Sequence, residues 1–474
     1  MSRGHGTLAV AGVGRPSGTA WAFLCLGFGH AFCHVFCHAF CLGLGLGYPG
    51  AAAAEEAASP LSLYATSDGS LLKGTLSLQF AQFFQDSSWF GASRANLGKK
   101  SDHWTEVVAT PGLVGAHPLA GGGTLYGRLS VVGGLTGRVD SAGSTVGDGD
   151  GEWRWEDAYL GWRSGELLSG LGEDALDLSV GRRQYTAGTG FLFFNQSGNG
   201  GGRGAYWTGE RKAADLTVLT RLKTGPWGVD VLYLEADDRP DTHTRLAGLT
   251  VDRSLGDLGS LGGGFYRVLG SDTRTRDGMS VYDVRVDLTP LPALPGLGLQ
   301  GEYVYEDNGE RLRASGWYAQ ASYRIDRLPW TPTVAYRYAH FQGDDDGSRR
   351  SEDFDPLFYG FSDWGFWYQG ELVGEYVLGN SNLDTHLVQV KATPSDSVTV
   401  RALYYDFRLH RPESLGVHSE DFARELDLAL DWSVTERLQV SAVAAHVRPD
   451  RGARELTGGD EPWSYFMVWG KLSF

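Results

Sequence analysis

From residue 55 onward, apolar and polar side chains alternate one for one through segment after segment. In Val281–Thr289, Tyr282, Val284, Val286 and Leu288 share one parity while Asp283, Arg285 and Asp287 hold the other. A strand throws successive side chains to opposite faces, so this pattern predicts β-strands with one oily and one polar face. Ala175–Gln184 sets Leu176, Leu178 and Val180 against Asp177, Ser179 and Arg183, and Leu297–Glu306 sets Leu299, Tyr303 and Tyr305 against Gln300, Glu302 and Glu306. Trp317–Asp326 sets Trp317, Ala319, Ala321 and Tyr323 against Gln320, Ser322 and Arg324. Thr333–Phe341, Thr385–Ala392, Val398–Phe407, Glu425–Ser433 and Leu438–Val447 continue the series. The last segment, Trp463–Phe474, places Phe466, Val468, Leu472 and Phe474 opposite Lys471 and Ser473, the form expected of a closing barrel strand.

Alternation alone also suits a soluble sandwich, so the connections decide. Short turns at Asp326–Trp330, Thr393–Ser397 and Val434–Arg437 alternate with longer polar stretches at Gly343–Pro356, His410–Glu420 and Arg448–Glu461. Short turns at one end and long loops at the other are the asymmetry of outer-membrane barrels. Trp227, Trp330, Trp364, Trp432 and Trp463 fall near strand ends, where a headgroup-level aromatic girdle is expected. Tilted strands with their connections divide residues 55–474 into about 18 strands. The expected fold is all-β, a transmembrane antiparallel β-barrel of about 18 strands in the bacterial outer membrane. Residues 55–72 and 85–103 are too irregular to assign, and the Gly-rich stretch Gly198–Gly204 is expected to fold into the lumen.

Residues 1–54 differ in kind. Arg3 and Arg15 precede an apolar stretch from Ala20 to Leu46, and Ala51–Ala54 leads into Glu55 and Glu56, which predicts a targeting segment cleaved near Ala54. Its rival is an uncleaved anchor, for which a Gly-rich, His-containing stretch is a poor span. All four cysteines, Cys25, Cys33, Cys37 and Cys41, sit here among His30, His34 and His38. A segment that is removed holds no structural metal, and Phe40 before Cys41 argues against lipoprotein processing. No cofactor or metal is therefore expected. Acidic residues outnumber basic ones, 57 to 41, and the leader holds two of the basic and none of the acidic. That balance disfavours nucleic acid as a partner.

Asp148-Gly-Asp150-Gly-Glu152 and Asp344–Asp346 lack full calcium-loop spacing and read as solvated turns. Gly198–Gly204 lacks the Lys and Ser/Thr of a phosphate loop. The histidines are scattered, and no serine stands in a nucleophile elbow, so catalysis has no anchor and no enzyme is expected. The paired carboxylates of a β-rich glycosidase are the enzymatic alternative.

The middle of the chain resembles the alginate-export family of outer-membrane barrels. The resemblance rests on Gly181-Arg-Arg-Gln-Tyr185 with Gly188 and Gly190, on Ala335-Tyr-Arg-Tyr338 with Gly343-Asp-Asp345, on Phe354-Asp-Pro-Leu-Phe358, and on Asn380-Ser-Asn382, within residues 150–410. It implies an 18-stranded barrel with a charged lumen, passage of an anionic polysaccharide, and periplasmic export components as partners beside outer-membrane lipid.

If the charged parity faces water inside, the solute pathway is lined by Arg128, Arg183, Arg285, Arg324, Arg337 and Arg401 among Asp177, Asp283, Asp287, Glu302, Asp427 and Asp431. Arg suits carboxylate transfer because its planar fork binds in two places and stays charged. The competing reading is that these charges pair across neighbouring strands and brace the wall. The expected function is a channel passing a charged solute or alginate-like polysaccharide by diffusion. The alternatives are a substrate-specific porin for small charged nutrients and a non-conducting structural or adhesive barrel. An exporter calls for a wide lumen, a nutrient porin for inward loops that plug it.

Overall fold

The computed structural model describes residues 61–89, 101–139, 146–289, 294–345, 347–360 and 369–474. The leader with its cysteines, Asp346 and Trp364 lie outside these residues. The strands are β1 (Ser62–Ala65), β2 (Leu71–Asp86), β3 (Asp102–Pro118), β4 (Thr124–Gly137), β5 (Gly151–Arg163), β6 (Leu176–Arg183), β7 (Ala214–Thr224), β8 (Trp227–Glu235), β9 (Arg245–Ser254) and β10 (Gly259–Gly270). They continue as β11 (Ser280–Leu288), β12 (Leu297–Asp307), β13 (Arg313–Arg324), β14 (Thr333–Phe341), β15 (Leu383–Ser395), β16 (Val398–Leu409), β17 (Asp421–Ser433), β18 (Leu438–Pro449) and β19 (Trp463–Ser473). Each of β2 to β19 pairs antiparallel with the next, and β19 closes on β2 with Ser464 opposite Asp86 and Ser473 opposite Ser77. The result is a closed barrel of 18 strands. The short β1 pairs with the start of β2, below the point where β19 ends.

The outer face carries the oily parity: Val284, Val231, Leu428, Leu249, Phe265 and Tyr303 are exposed, whereas Asp283, Arg285, Glu302 and Asp427 on the opposite parity are buried inside. A continuous apolar exterior is stable only against lipid, and a barrel with no unpaired edge is the sheet form that can span it. Turns 225–226, 255–258, 396–397 and 434–437 lie at one end; 138–139, 146–150, 184–213, 342–345, 347–360, 369–382 and 450–462 lie at the other. Charged residues do appear on the outward parity near the long-loop end, where Arg408 meets Asp421 at 3.0 Å and Arg424 meets Asp450 at 2.6 Å. These sit where strands leave the hydrocarbon.

The Trp pattern holds in part. Trp227, Trp330 and Trp432 are exposed, but Trp463 is fully buried on the inner face, 6.1 Å from Trp89. It is a core residue because its parity in β19 matches Tyr465 and Met467, not the lipid-facing Phe466.

The inner face is not an open aqueous wall. Two segments at the long-loop end enter the barrel and pack on it: 184–213 between β6 and β7, and, between β14 and β15, the described residues 347–360 and 369–382. Phe191 contacts Tyr318, Phe341 and Phe354, and Phe193 contacts Tyr185, Tyr266 and Phe358. The segments join where Phe194 N and Asn195 N donate to the Phe358 carbonyl at 2.8 and 2.9 Å and Phe358 N donates to that of Leu192 at 3.0 Å. They meet again where Trp207 and Tyr376 bring ring centres to 3.6 Å. Trp207 also packs on Phe83 of β2, Trp104 of β3 and Tyr465 of β19.

The exterior parity sets a stability test. Val284→Arg puts a charge at the middle of a lipid-facing strand and should cost about 2–4 kcal/mol in denaturant titrations of bilayer-folded protein, whereas Asp287→Ala, on the inner face, should cost far less. Equal losses from the two would contradict the assignment of faces.

Candidate functional site

All twelve sequence-predicted pathway residues lie on the inner parity, but they form separate groups. On β9 to β12, Arg285 bonds Asp283 and reaches across Gly262 to Asp252 at 2.9 Å. Glu302, opposite Arg285 in register, accepts from Thr189 of the first inserted segment at 3.2 Å. Two glycines make this arrangement possible. A Cβ at Gly262 would stand 2.2 Å from Asp252 Oδ1, and one at Gly188 would stand 2.5 Å from Arg285 Cδ. One residue row nearer the short turns, Gln300 donates to Asp287 at 3.2 Å, Gln320 donates to Gln300 at 3.1 Å, and Arg337 stands opposite Gln320.

On β4 to β6 the group is aromatic. Arg163 lies 4.4 Å over Tyr126, Arg183 lies 4.6 Å over Tyr159, Tyr126 donates to Asp177, and Arg128 meets Asp157 at 2.9 Å. Arg401 pairs with Asp431, which also accepts from Ser441 at 2.6 Å. For these residues the wall-bracing reading describes the contacts, since each arginine meets a carboxylate or ring on its own or a neighbouring strand.

Two expected pathway residues, Arg337 and Asp427, are placed away from a solute-lining role, and Arg324 marks the rim. Arg324 stands at the rim, largely exposed, and bonds Asp326 of its own turn at 2.6 Å. Arg337 is 1% exposed. Asp427 is buried and accepts the main-chain N–H of Glu371 at 3.1 Å, so it anchors an inserted segment. The cause is shared: parity tells which face a residue takes, but not whether that face meets water or a loop.

Four carboxylates absent from the expected set do the same work on four strands. Glu106 of β3 accepts from Thr208 N at 2.8 Å, and Glu156 of β5 accepts from Lys212 N and Ala213 N at 2.8 and 3.0 Å. Glu306 of β12 accepts from Asp355 N at 2.9 Å, and Glu425 of β17 accepts from Leu372 N and Val373 N at 2.8 and 2.9 Å. Their inward neighbours gave a sign: Glu106 lies between Trp104 and Val108, and Glu306 follows Val304, apolar company foreign to a water-filled wall. Within the first segment, burial pushes the Glu210 carboxyl up, but Lys212 and Lys471 more than offset this and hold it below its ordinary range. Asp237 behaves likewise, with burial opposed by hydrogen bonds from Arg203 and Arg182. In Gly198–Gly204, Arg203 is buried and bonds Asp237 at 2.6 Å, and Phe191, Leu192 and Phe193 are buried in the same segment.

The overlooked cation is Lys391. It faces inward directly opposite Arg401 in the β15–β16 ladder, and among the described residues no carboxylate pairs with it. Thr333, its partner on β14, stands opposite Arg324. Like charges directly opposite each other are unfavourable, so this spot is electrostatically unfinished.

No protein-family model matches the chain and no curated protein matches it in sequence. Solved structures do. OccAB4 of Acinetobacter baumannii superposes with a TM-score of 0.53 at 12% identity, over 85% of this chain and 97% of that one. OccK7 (OpdD) of Pseudomonas aeruginosa gives 0.51 at 12% identity, over 85% and 98%, and OccK5 (OpdH) of the same organism gives the same values. The likeness is one of fold. It supports a general outer-membrane β-barrel and lends nothing to the alginate-export resemblance. With its lipid-facing belt and closed ladder, the chain is a β-barrel of the bacterial outer membrane.

The glycine bridge makes a specific demand. Gly262→Val must displace either Asp252 or Arg285, and barrel stability in urea should fall by about 1–3 kcal/mol. Unchanged stability would mean that the Asp252–Arg285 pair does not brace the wall.

Proposed function

We propose that the chain is a selective outer-membrane channel for small anionic solutes, carboxylates foremost. The observation that carries this reading is the meeting of the two inserted segments at Trp207 and Tyr376 inside the barrel. A polymer of uronate units would need that cross-section cleared, whereas a small solute needs only a gap beside the plug. The inward loops thus favour the nutrient-porin alternative over polysaccharide export, and the Occ structures of similar fold point the same way.

The sign of the solute follows from the wall on the short-turn side of the plug. Arg324, Lys391 and Arg401 occupy one cross-strand row on β13 to β16, with Asp326 and Asp431 as the paired carboxylates. Lys391 offers an exchangeable cation there. A small carboxylate completes the unfinished pair with Arg401, and a single weak contact of this kind permits release. Many of the inward acids do not oppose this, because arginines engage Asp283 and Asp431 and main-chain N–H groups engage Glu106, Glu156, Glu306 and Glu425.

Two measurements in planar bilayers test the reading. Lys391→Gln with Arg324→Gln should move the reversal potential in a salt gradient toward cation preference without altering the folded barrel's heat-dependent mobility on gels; an unmoved potential would discard anion selection. Trp207→Ala with Tyr376→Ala should raise single-channel conductance, and an unchanged value would show that the clasp does not limit flow.

A further inference from the structure

The second inserted segment docks through a nine-residue π-helical turn, Gly370–Leu378. Such turns are rare and hold their hydrogen bonds poorly, so side-chain anchors decide whether they persist. Here the anchors are the three N–H groups at the start of the turn, from Glu371 to Asp427 and from Leu372 and Val373 to the two oxygens of Glu425. Gly370, at φ +93°, brings the chain this close; a Cβ there would meet Glu425 Oε2 and Phe407 Cζ at 2.8 Å each. The turn is therefore bound as a helix start binds an anion.

The same turn carries two carboxyls of its own into the contact. Glu371 is buried, and Glu375 lies one turn on, beside Tyr376 of the clasp. The ionisable groups facing this pair among the described residues are Glu425 and Asp427 on β17, Tyr465 on β19, and Tyr359 and Tyr376 of the segment itself. Glu106 on β3 and Tyr405 on β16 border the cluster through Tyr465 and Glu425. The cations of the neighbouring wall are engaged elsewhere, Arg401 with Asp431 and Lys471 with Glu210, while Arg337 stands at the far end of the row Arg337–Leu387–Tyr405–Glu425. Four carboxyls thus share a desolvated contact in which main-chain donors reach only two.

We propose that this contact is a proton-operated latch, in which the Gly370–Leu378 turn stays docked while Glu371 and Glu375 are protonated and releases as they ionise, opening the channel as pH rises. Burial pushes the Glu371 carboxyl well above the usual range, with the charges of Glu375 and Glu425 adding to it. Burial likewise moves Glu375 from 4.5 to about 8. An acid that holds its proton more tightly when docked than when free favours docking at low pH. That contribution declines as pH climbs from the ordinary glutamate value toward about 8, and is gone above it.

The inference rests on the channel reading, and one experiment separates the two. Single-channel recordings of the full chain should give a conductance several-fold higher at about pH 9 than at about pH 5. Glu371→Gln with Glu375→Gln should stay at the low level at both pH values, while Glu413→Gln, in an exposed loop, should follow the wild type. If the double variant does not refold, Glu375→Gln alone should shift opening to higher pH, and an unshifted profile would overturn the latch. A wild-type conductance independent of pH, or a double variant that still opens, would overturn it while leaving the channel intact. Folded barrels that conduct at neither pH would instead remove the channel reading.

Discussion

The ladder between β19 and β2 is the contact on which the rest depends. Hydrocarbon offers no hydrogen-bond partner, so a sheet with free edges would leave a row of unsatisfied N–H and C=O groups in lipid, each costing several kcal/mol. Joining Ser464–Ser473 to Ser77–Asp86 removes both edges at once. Closure then fixes the meaning of parity. One face of every strand must be oily, as Tyr282, Val284 and Leu428 are, and the other is released from that demand and free to carry charge. The strict alternation in the sequence is the consequence of this single topological requirement.

Closure also creates a problem that the inserted segments solve and inherit. A barrel of 18 strands encloses more space than its inner side chains fill. Here space is taken by 184–213 and by the described residues 347–360 and 369–382, whose aromatics build a core with the wall around Phe191, Phe193 and Trp207. Irregular backbone inside the barrel cannot join the sheet, because every ladder position there is already taken by a neighbouring strand. Its N–H groups need other acceptors.

This need explains what the sequence revealed and what it hid. The fold class and the facing of ten strands were legible because a period of two repeats over those segments, while β2 to β5 and β7 to β10 were not individually assigned; the observed ends of Thr333–Phe341 match the expected ones, and Val281–Thr289 differs by one residue at each end. The inward placement of Asp283, Arg285 and Glu302 followed from the same period. Their roles did not, since the partner of an inward charge is set by a loop that crosses the lumen from far along the chain: Thr189 meets Glu302, and Leu372 meets Glu425. Trp463 failed for a related reason. Position near a strand end suggests the membrane interface, but parity overrides it. The motifs Gly181–Tyr185 and Phe354–Phe358 mark the entry to one inserted segment and the pairing point of the other, so they report how the lumen is filled and say little about what passes through it.

The distribution of acids now has a physical reading. Arginine on the inner wall can be satisfied by a neighbouring strand, because opposite charges two residues or one strand apart come within reach, as Arg285 and Arg401 show. Glutamate has a second use that arginine lacks: its two oxygens accept main-chain N–H groups from a segment that has no ladder of its own. Glu106, Glu156, Glu306 and Glu425, on four different strands, are each used this way. An inner wall that must hold folded-in loops therefore gathers carboxylates as docking points. On the proposed reading, Lys391, which has no carboxylate partner among the described residues, is the charge that remains for a solute. Net charge is a poor guide to selectivity in such a barrel, because inward acids such as Glu106, Glu156, Glu306 and Glu425 are engaged by backbone, whereas Lys391 faces inward beside Arg401.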